Sequence, residues 1–326
     1  MLSETIFSIQ NHAHFEQLAL EVFRHQYIYN ATYQRFCNLL GISKTSVTHI
    51  DHIPYLPIDL FKHEQIVSGH SSISKIFTSS GTTGNLTSKH YVQDLGVYEK
   101  SFRKGFQHFY GNIKDYIILA LLPSYLEREG SSLVYMVEKL IADNQQPESG
   151  FYLYDTEKLI AVLKNCISSN KKVLLLGVSF ALLDLVENYS ITPNNNIVIM
   201  ETGGMKGRRK EMIREELHDI LKRGFNVSQI HSEYGMTELL SQAYSKGDGI
   251  FYCPPWMSVS IRNPEDPRTS LGYDKTGGIN IIDLANINSC SFIATQDLGR
   301  VYPNYSFEIL GRFDHSDIRG CNLMAL

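Results

Sequence analysis

Val173-Leu-Leu-Leu-Gly-Val-Ser-Phe-Ala181 carries the pattern that decides the fold. Four consecutive apolar residues stop at Gly177, and a second apolar segment opens around Phe180. That order predicts a short strand covered on both faces, a tight turn and then a helix. Working outward, Tyr116-Ile-Ile-Leu-Ala-Leu-Leu122 reads as another buried strand, closed by Pro123. Ile197-Val-Ile-Met200 reads as a third, running into Gly203-Gly204. Amphipathic helices lie between and after these strands. The clearest is Arg208 to Arg223, with Ile213, Leu217, Ile220 and Leu221 on one side and Gly224 as the expected C-cap. Strand–helix alternation of this kind predicts an α/β protein with largely parallel sheets flanked by helices. Residues 1–65 read as helical instead. Phe15, Leu18, Ala19 and Val22 share one face, Gly41 stops the segment ending at Leu40, and Ile53-Pro-Tyr-Leu-Pro57 is held extended by its prolines. From Ile250 onward prolines, glycines and short strands predict a smaller β-rich part over 250–310. Residues 1–310 are therefore expected to form one large domain, with 311–326 as a tail.

Composition narrows the function classes. The chain has 326 residues, of which 43% are hydrophobic and 20% charged, enough for a sizeable core. Thirty basic residues face 34 acidic ones, a net charge of −4 without a basic cluster, which argues against nucleic acid as a partner. The longest apolar run, Val173 to Leu183, falls short of a membrane span. Met1 to Ala13 carries Glu4 and no basic region, unlike a signal peptide. The five cysteines (37, 166, 253, 290, 321) are odd in number and form no CxxC, so a cytoplasmic protein without disulfides or zinc is expected.

The chemistry begins at Phe77-Thr78-Ser79-Ser80-Gly81-Thr82-Thr83-Gly84. Hydroxyls fill five of these eight positions, and two glycines let the backbone turn close to an anion. It is not a Walker A loop, and alone it reads equally well as a surface turn. His231-Ser-Glu-Tyr-Gly-Met-Thr-Glu238 adds an aromatic ring, a glycine, a hydroxyl and a carboxylate within five residues. Those are parts suited to stacking a base, touching a phosphate and holding Mg²⁺. Thr295-Gln-Asp297-Leu-Gly299 sets an acid beside an expected turn, a common grip on ribose hydroxyls, and Gly311-Arg312-Phe-Asp314 follows.

These four motifs, in this order over residues 77–314, resemble the adenylate-forming superfamily. The SSGTTG form is similar to the phenylacetate–CoA ligase branch. The resemblance implies that Thr78, Ser79, Ser80, Gly81, Thr82, Thr83 and Gly84 bind the phosphates of ATP, with Gly203 and Gly204 along the nucleotide. It implies that Tyr234 stacks on adenine, Thr237 touches the α-phosphate, Glu238 holds Mg²⁺, and Asp297 with Arg312 takes the ribose. Many members carry a lysine three residues after the last loop glycine; here Thr87 stands there, and the nearest lysine is Lys89.

Members of that superfamily continue past the Gly-Arg-x-Asp hinge into a small domain carrying a catalytic lysine. Only 14 residues follow Arg312, so that domain is expected to be missing. The tail holds Cys321 between Gly320 and Asn322. With Ile53–Pro57, Pro123-Ser-Tyr-Leu-Glu-Arg128, Ser131–Met136 and Ile318-Arg-Gly-Cys321, the chain resembles the acyl-protein synthetases of bacterial luminescence fatty-acid reductase systems. That resemblance implies acyl-AMP formation, transfer to Cys321 as a thioester, and delivery to a partner reductase. Cys37, Cys166, Cys253 and Cys290 read as packing residues. His231 is a candidate lining for the carboxylate pocket and His315 a candidate base for the thiol, though each reads first as a structural histidine.

Three other readings stand beside this one. The acceptor is alternatively coenzyme A or a carrier protein. Gly177-Val-Ser179 resembles a nucleophile elbow, which would make Ser179 the nucleophile of a hydrolase or acyltransferase, although Ala181 replaces the second glycine. A non-catalytic adenylate-binding partner subunit is the third. The 35 Tyr and Phe residues leave the acyl pocket unassigned, and the oligomeric state is open.

Overall fold

The computed structural model describes residues 2–80, 86–123, 130–169, 171–191, 196–203 and 212–313. The helices, in chain order, are α1 (Leu2–Thr5), α2 (His12–Tyr29), α3 (Ala31–Leu39), α4 (Leu60–His63), α5 (Leu95–Tyr110), α6 (Ser132–Asn144), α7 (Thr156–Ser168), α8 (Ser179–Asn188) and α9 (Arg214–Phe225). The strands are β1 (Leu56–Pro57), β2 (Lys75–Thr78), β3 (Lys89–Val92), β4 (Tyr116–Leu121), β5 (Gly150–Phe151), β6 (Lys172–Val178), β7 (Ile197–Thr202), β8 (His231–Tyr234), β9 (Ala243–Ser245), β10 (Ile250–Tyr252), β11 (Met257–Arg262), β12 (Ser270–Leu271), β13 (Thr276–Asp283), β14 (Phe292–Val301) and β15 (Phe307–Arg312).

The chain divides into two compact units. The first comprises Met1–Ser101, Thr237–Ser241 and Tyr252–Leu326, the second Phe102–Met236 and Gln242–Phe251. The second unit has the parallel architecture expected from the apolar runs. Its strands lie in the order β5-β4-β6-β7-β8-β9, parallel throughout except for the antiparallel β8–β9 pair. All six residues of β4 are buried, as are Val173–Val178 of β6. Such uninterrupted burial requires cover on both faces, and each leucine removed from water there stabilises by about 2 kcal/mol.

The first unit is built differently. β12-β11-β13-β14-β15 form an antiparallel run, and β1 joins β14 in parallel. Along β11 and β14 buried and half-buried residues alternate, the signature of a sheet with one face packed. β2 and β3 form a separate hairpin. Buried polar side chains brace α2 and α3 to the 286–291 turn. Gln26 donates to the Asn286 and Ile287 carbonyls and accepts from Ser291 N, and Asn30 donates to the Ser289 carbonyl. Gly41, with φ of +72°, ends the α3 region as expected.

The helix expected over Arg208–Arg223 is corrected at both ends. Among the described residues it starts at Arg214; Ile213 precedes it and is exposed, so the buried face is Leu217, His218, Leu221 and Phe225. Gly224 is not the cap. Asn226 takes the left-handed conformation (φ +49°), and Gly224 lies within α9 where a Cβ would come within 2.4 Å of Val186. Close helix approach, not termination, is what requires the glycine.

Candidate active site

In the first unit the hydroxyl-rich segment leaves β2 and returns through β3. Thr78 pairs with Lys89, Ser79 N donates to the Ser88 carbonyl, and Ser88 N donates to Ser79 Oγ. Thr78, Ser79 and Ser80 thus stand on the rising side of a hairpin; Gly81–Gly84 lie outside the described residues. Lys89 is exposed on β3. Glu238 is buried and hydrogen-bonds Ser88. Burial pushes its carboxyl above the usual range, and repulsion from Asp297 adds to this, against the bond to Ser88 and the attraction of Arg312.

Asp297 does not sit beside a turn as the sequence suggested. It lies inside β14, directly across the ladder from Arg312 on β15. Their side chains form an ion pair at 3.3 Å, with Asp297 buried and Arg312 exposed. A register shift between Leu298 and Gly299 follows at once, and a Cβ on Gly299 would meet the Glu308 carbonyl at 2.4 Å. Close strand contact therefore explains the glycine that looked like a turn residue. Arg262, which sequence reasoning passed over, donates to the Thr295, Ile279 and Asn280 oxygens and lies 5.8 Å from the Phe313 ring. Burial lowers its pKa to about 10, and Asp297 opposes that fall.

The stretch from Thr237 to Ser241 has no regular ladder, and side chains hold it. Asp283 accepts from Leu240 N (2.8 Å), Ser241 N (2.9 Å) and Ser241 Oγ (2.6 Å). Trp256 Nε1 donates to Ser241 Oγ and Ser101 Oγ. Burial still raises Asp283 to about 6, these bonds limiting the rise.

In the second unit, Tyr234 ends β8. Its ring meets Phe251 edge to face, 6.0 Å between centroids. The Arg214 guanidinium lies 5.0 Å from the Phe251 centroid and pairs with Glu201 at 3.4 Å. His218 Nε2 stands 3.6 Å from the same carboxylate. Burial works against ionised Glu201, but His218, Arg214 and Ser232 outweigh it and hold its pKa low. Glu233, on the neighbouring strand, goes the other way. Burial, aided by Glu201, raises it to about 7 against a hydrogen bond from Thr202 Oγ1. Two carboxylates on adjacent strands are thus driven apart. A Cβ on Gly235 would lie 2.4 Å from Glu233 Oε1, so a larger residue there would displace that carboxylate.

Gly203 has φ of +67°, and its carbonyl accepts the Ser179 hydroxyl at 2.7 Å. Gly204 falls outside the described residues. Ser179 is fully buried at the start of α8 with its proton committed to that carbonyl. β6 runs through Gly177 to Val178 and α8 begins at Ser179, so the tight turn expected at Gly177 is absent, and with it the elbow's strained turn and exposed nucleophile; the hydrolase reading is withdrawn. His231 shares a hydrogen bond with the Tyr110 hydroxyl at 3.1 Å, and burial, with Lys246 adding, depresses it to about 4. Cys37, Cys166 and Cys290 are buried and Cys253 partly so, all as free thiols raised by burial. Cys321 and His315 lie outside the described residues. Among the described residues no helix is long and apolar enough to cross a membrane.

Comparison with known proteins identifies the fold. An open-form 2-hydroxyisobutyryl-CoA ligase, solved with an acyl-AMP and CoA, superposes with a TM-score of 0.71 at 12% identity over 97% of this chain and 76% of that one. ATP-bound MatB from Rhodopseudomonas palustris gives 0.55 at 16% identity over 75% of this chain and 49% of that one. A long-chain-fatty-acid–luciferin-component ligase of Photorhabdus luminescens is 36% identical over 70 residues. That match covers 21% of this chain and 60% of the relative, less than two thirds of its length. The architecture is that of the adenylate-forming enzymes. The sequence profile of the LuxE acyl-protein synthetases matches residues 6–325, nearly end to end, and the chain belongs to that family.

Proposed function

We propose that this protein uses ATP to activate a carboxylic acid, of the fatty type, and passes the acyl group to Cys321 for delivery to a partner reductase. The observation that carries the reading is the buried Glu238 carboxyl, bonded to Ser88 at the base of the hydroxyl-rich hairpin and acted on by the Asp297–Arg312 pair. Burial favours the protonated form of this carboxyl, so Mg²⁺ would have to displace that proton; the carboxylate oxygens then exposed are the ligand type Mg²⁺ takes. Mg²⁺ there would neutralise charge on the phosphates.

The substrate carboxylate attacks the α-phosphorus, the bond to the β-phosphate bridging oxygen breaks, and pyrophosphate leaves with the electron pair. Thr78, Ser79, Ser80 and the loop through Gly84 are assigned to the phosphates, and Thr237 to the α-phosphate. Tyr234 is assigned to adenine, Gly203 and Gly204 to the edge of the nucleotide, and Asp297 with Arg312 to the ribose. The Cys321 thiolate then attacks the acyl carbon, and AMP departs with the anhydride oxygen.

The test is intact mass after incubation with Mg-ATP and a panel of fatty and aryl acids, wild type beside Cys321→Ala. A hydroxylamine-labile acyl adduct on wild type alone, with pyrophosphate release persisting in the variant, is the expected result. Release without an adduct would move the acceptor to coenzyme A or a carrier protein. No release with any acid would overturn acid activation and favour a non-catalytic subunit.

A further inference from the structure

Two neutral side chains take the successive carbonyls of Thr237 and Glu238, and nothing above gives them a role. His90 Nδ1 on β3 lies 2.8 Å from the Thr237 carbonyl oxygen. A carbonyl only accepts, so this nitrogen carries the ring proton. Asn286 Nδ2 donates to the Glu238 carbonyl at 2.7 Å, which fixes the amide's orientation, since the reverse would set two oxygens together. Both side chains have 0% exposure. Burial holds the imidazole down at about 4, against the interactions with Thr237 and Asn286, so the ring is neutral near pH 7. Phe61 stands perpendicular to it at 5.8 Å.

Neither His90 Nε2 nor Asn286 Oδ1, both buried, has a partner within hydrogen-bond geometry, although the Asn286 side chain still acts on the ring. Burying such atoms is unfavourable, and a packing role alone would be served better by apolar residues. What the two side chains achieve is a hold on the backbone. His90 lies two residues beyond Ser88, on the strand that returns from the hydroxyl-rich loop. The Asn286 carbonyl is itself held by Gln26 at 3.0 Å. Both anchors are uncharged, so neither competes with the phosphates for Glu238 or for a cation.

We propose that His90 and Asn286 are positioning residues: His90 locks β3, just beyond Ser88, to the backbone of Thr237, and Asn286 fixes that of Glu238, so that Ser88, the Thr237 hydroxyl and the Glu238 carboxylate keep one register. This rests on the acid-activating reading above. A misplacement of the order of 1 Å at reacting groups costs roughly 100-fold in rate, while ground-state nucleotide binding, spread over many contacts, changes little.

The experiment is acid-dependent ATP–pyrophosphate exchange with the full chain: wild type, His90→Phe, and His90→Asn, whose amide nitrogen replaces Nδ1. The expected result is a kcat reduced about 10- to 100-fold in His90→Phe with KM for ATP within about 3-fold, and recovery to within about 3-fold of wild type in His90→Asn. His90→Gln, with its donor moved to the Nε2 side, is expected to fail like His90→Phe and replaces it if that variant does not fold. Wild-type kcat in His90→Phe, or equal loss in His90→Asn, overturns the positioning role while leaving adenylation intact. A wild type without exchange for any acid overturns the activity itself, and the positioning role with it.

Discussion

Ser232–Tyr234 and Thr237–Ser241 are nearly consecutive in sequence and are held by opposite means. The first stretch is a strand paired on both sides, by β7 and by β9, so its backbone is satisfied by the ladder. Its side chains are then free to meet neighbours: Ser232 Oγ shares a hydrogen bond with His218 Nε2 at 3.4 Å, and Glu233 accepts one from Thr202 Oγ1. The second stretch has no ladder, and four of its backbone groups are taken by His90, Asn286 and Asp283. Where reactive groups require an irregular path, the chain borrows side chains from elsewhere to hold it. Substitutions should therefore act through backbone support in one stretch and through side-chain electrostatics in the other.

The largest effect is expected at Asp283. Asp283→Ala strands the donors of Leu240, Ser241 and Ala285, and a loss of about 3–5 kcal/mol is expected in urea unfolding. Asp283→Asn, which keeps one acceptor oxygen, is expected to lose about half of that. A small effect of the alanine variant would break the contrast between the two stretches.

Next comes Glu233. Its folded pKa of about 7 lies above that of an unfolded glutamate, so the folded protein retains a proton that the unfolded chain releases. Its contribution is complete below about pH 4.3, the unfolded value, and is lost as pH rises through 7. Glu233→Gln is uncharged throughout, so wild type should lose stability relative to the variant by up to ~3 kcal/mol between pH 4 and pH 8. His90 and His231, both depressed to about 4, impose the opposite slope, stability falling as pH drops from about 6.5. That slope is common to both proteins and cancels in the difference. A pH-independent gap would show that Glu233 is ionised in the fold.

The smallest effect is expected at Phe251, which touches both Tyr234 and Arg214. Phe251→Leu should cost about 1–2 kcal/mol in urea unfolding, from the lost edge-to-face and cation contacts and imperfect packing. A cost well below that would remove Phe251 as a support for the Tyr234 ring.

The parallel half was legible because β4, β6 and β7 are built on short apolar runs, Tyr116–Leu121, Val173–Leu176 and Ile197–Met200, a local signal. Thr237 and Glu238 were singled out as members of a short motif, and Glu238 lies buried against Ser88. Asp297 was found as a residue but misplaced, because Gly299 resembles a turn glycine until Glu308 is seen beside it. Gly224 misled in the same way, its reason being Val186 on another helix. His90, Asp283 and Asn286 left no mark, since a buried polar residue looks like a solvated one until its partner is known. Asp283 meets Leu240 and Ser241 across about forty positions, and His90 meets Thr237 across 147.

The buried Gln26 amide has a consequence for how the chain is made. Its acceptors lie 260 and 261 residues downstream, on the far side of the Phe102–Phe251 segment. At translation speeds of ~5–20 residues per second, the first helices leave the ribosome roughly 13–50 s before those acceptors exist. During that interval α2 has no settled place for Phe15, Leu18, Val22 and Phe23, all buried in the finished protein. The second unit, whose β4–β7 pairings are all parallel neighbours within one stretch of chain, faces no such delay. Nascent chains halted before residue 286 should therefore engage chaperones through their first thirty residues and release them once the turn carrying Asn286 emerges.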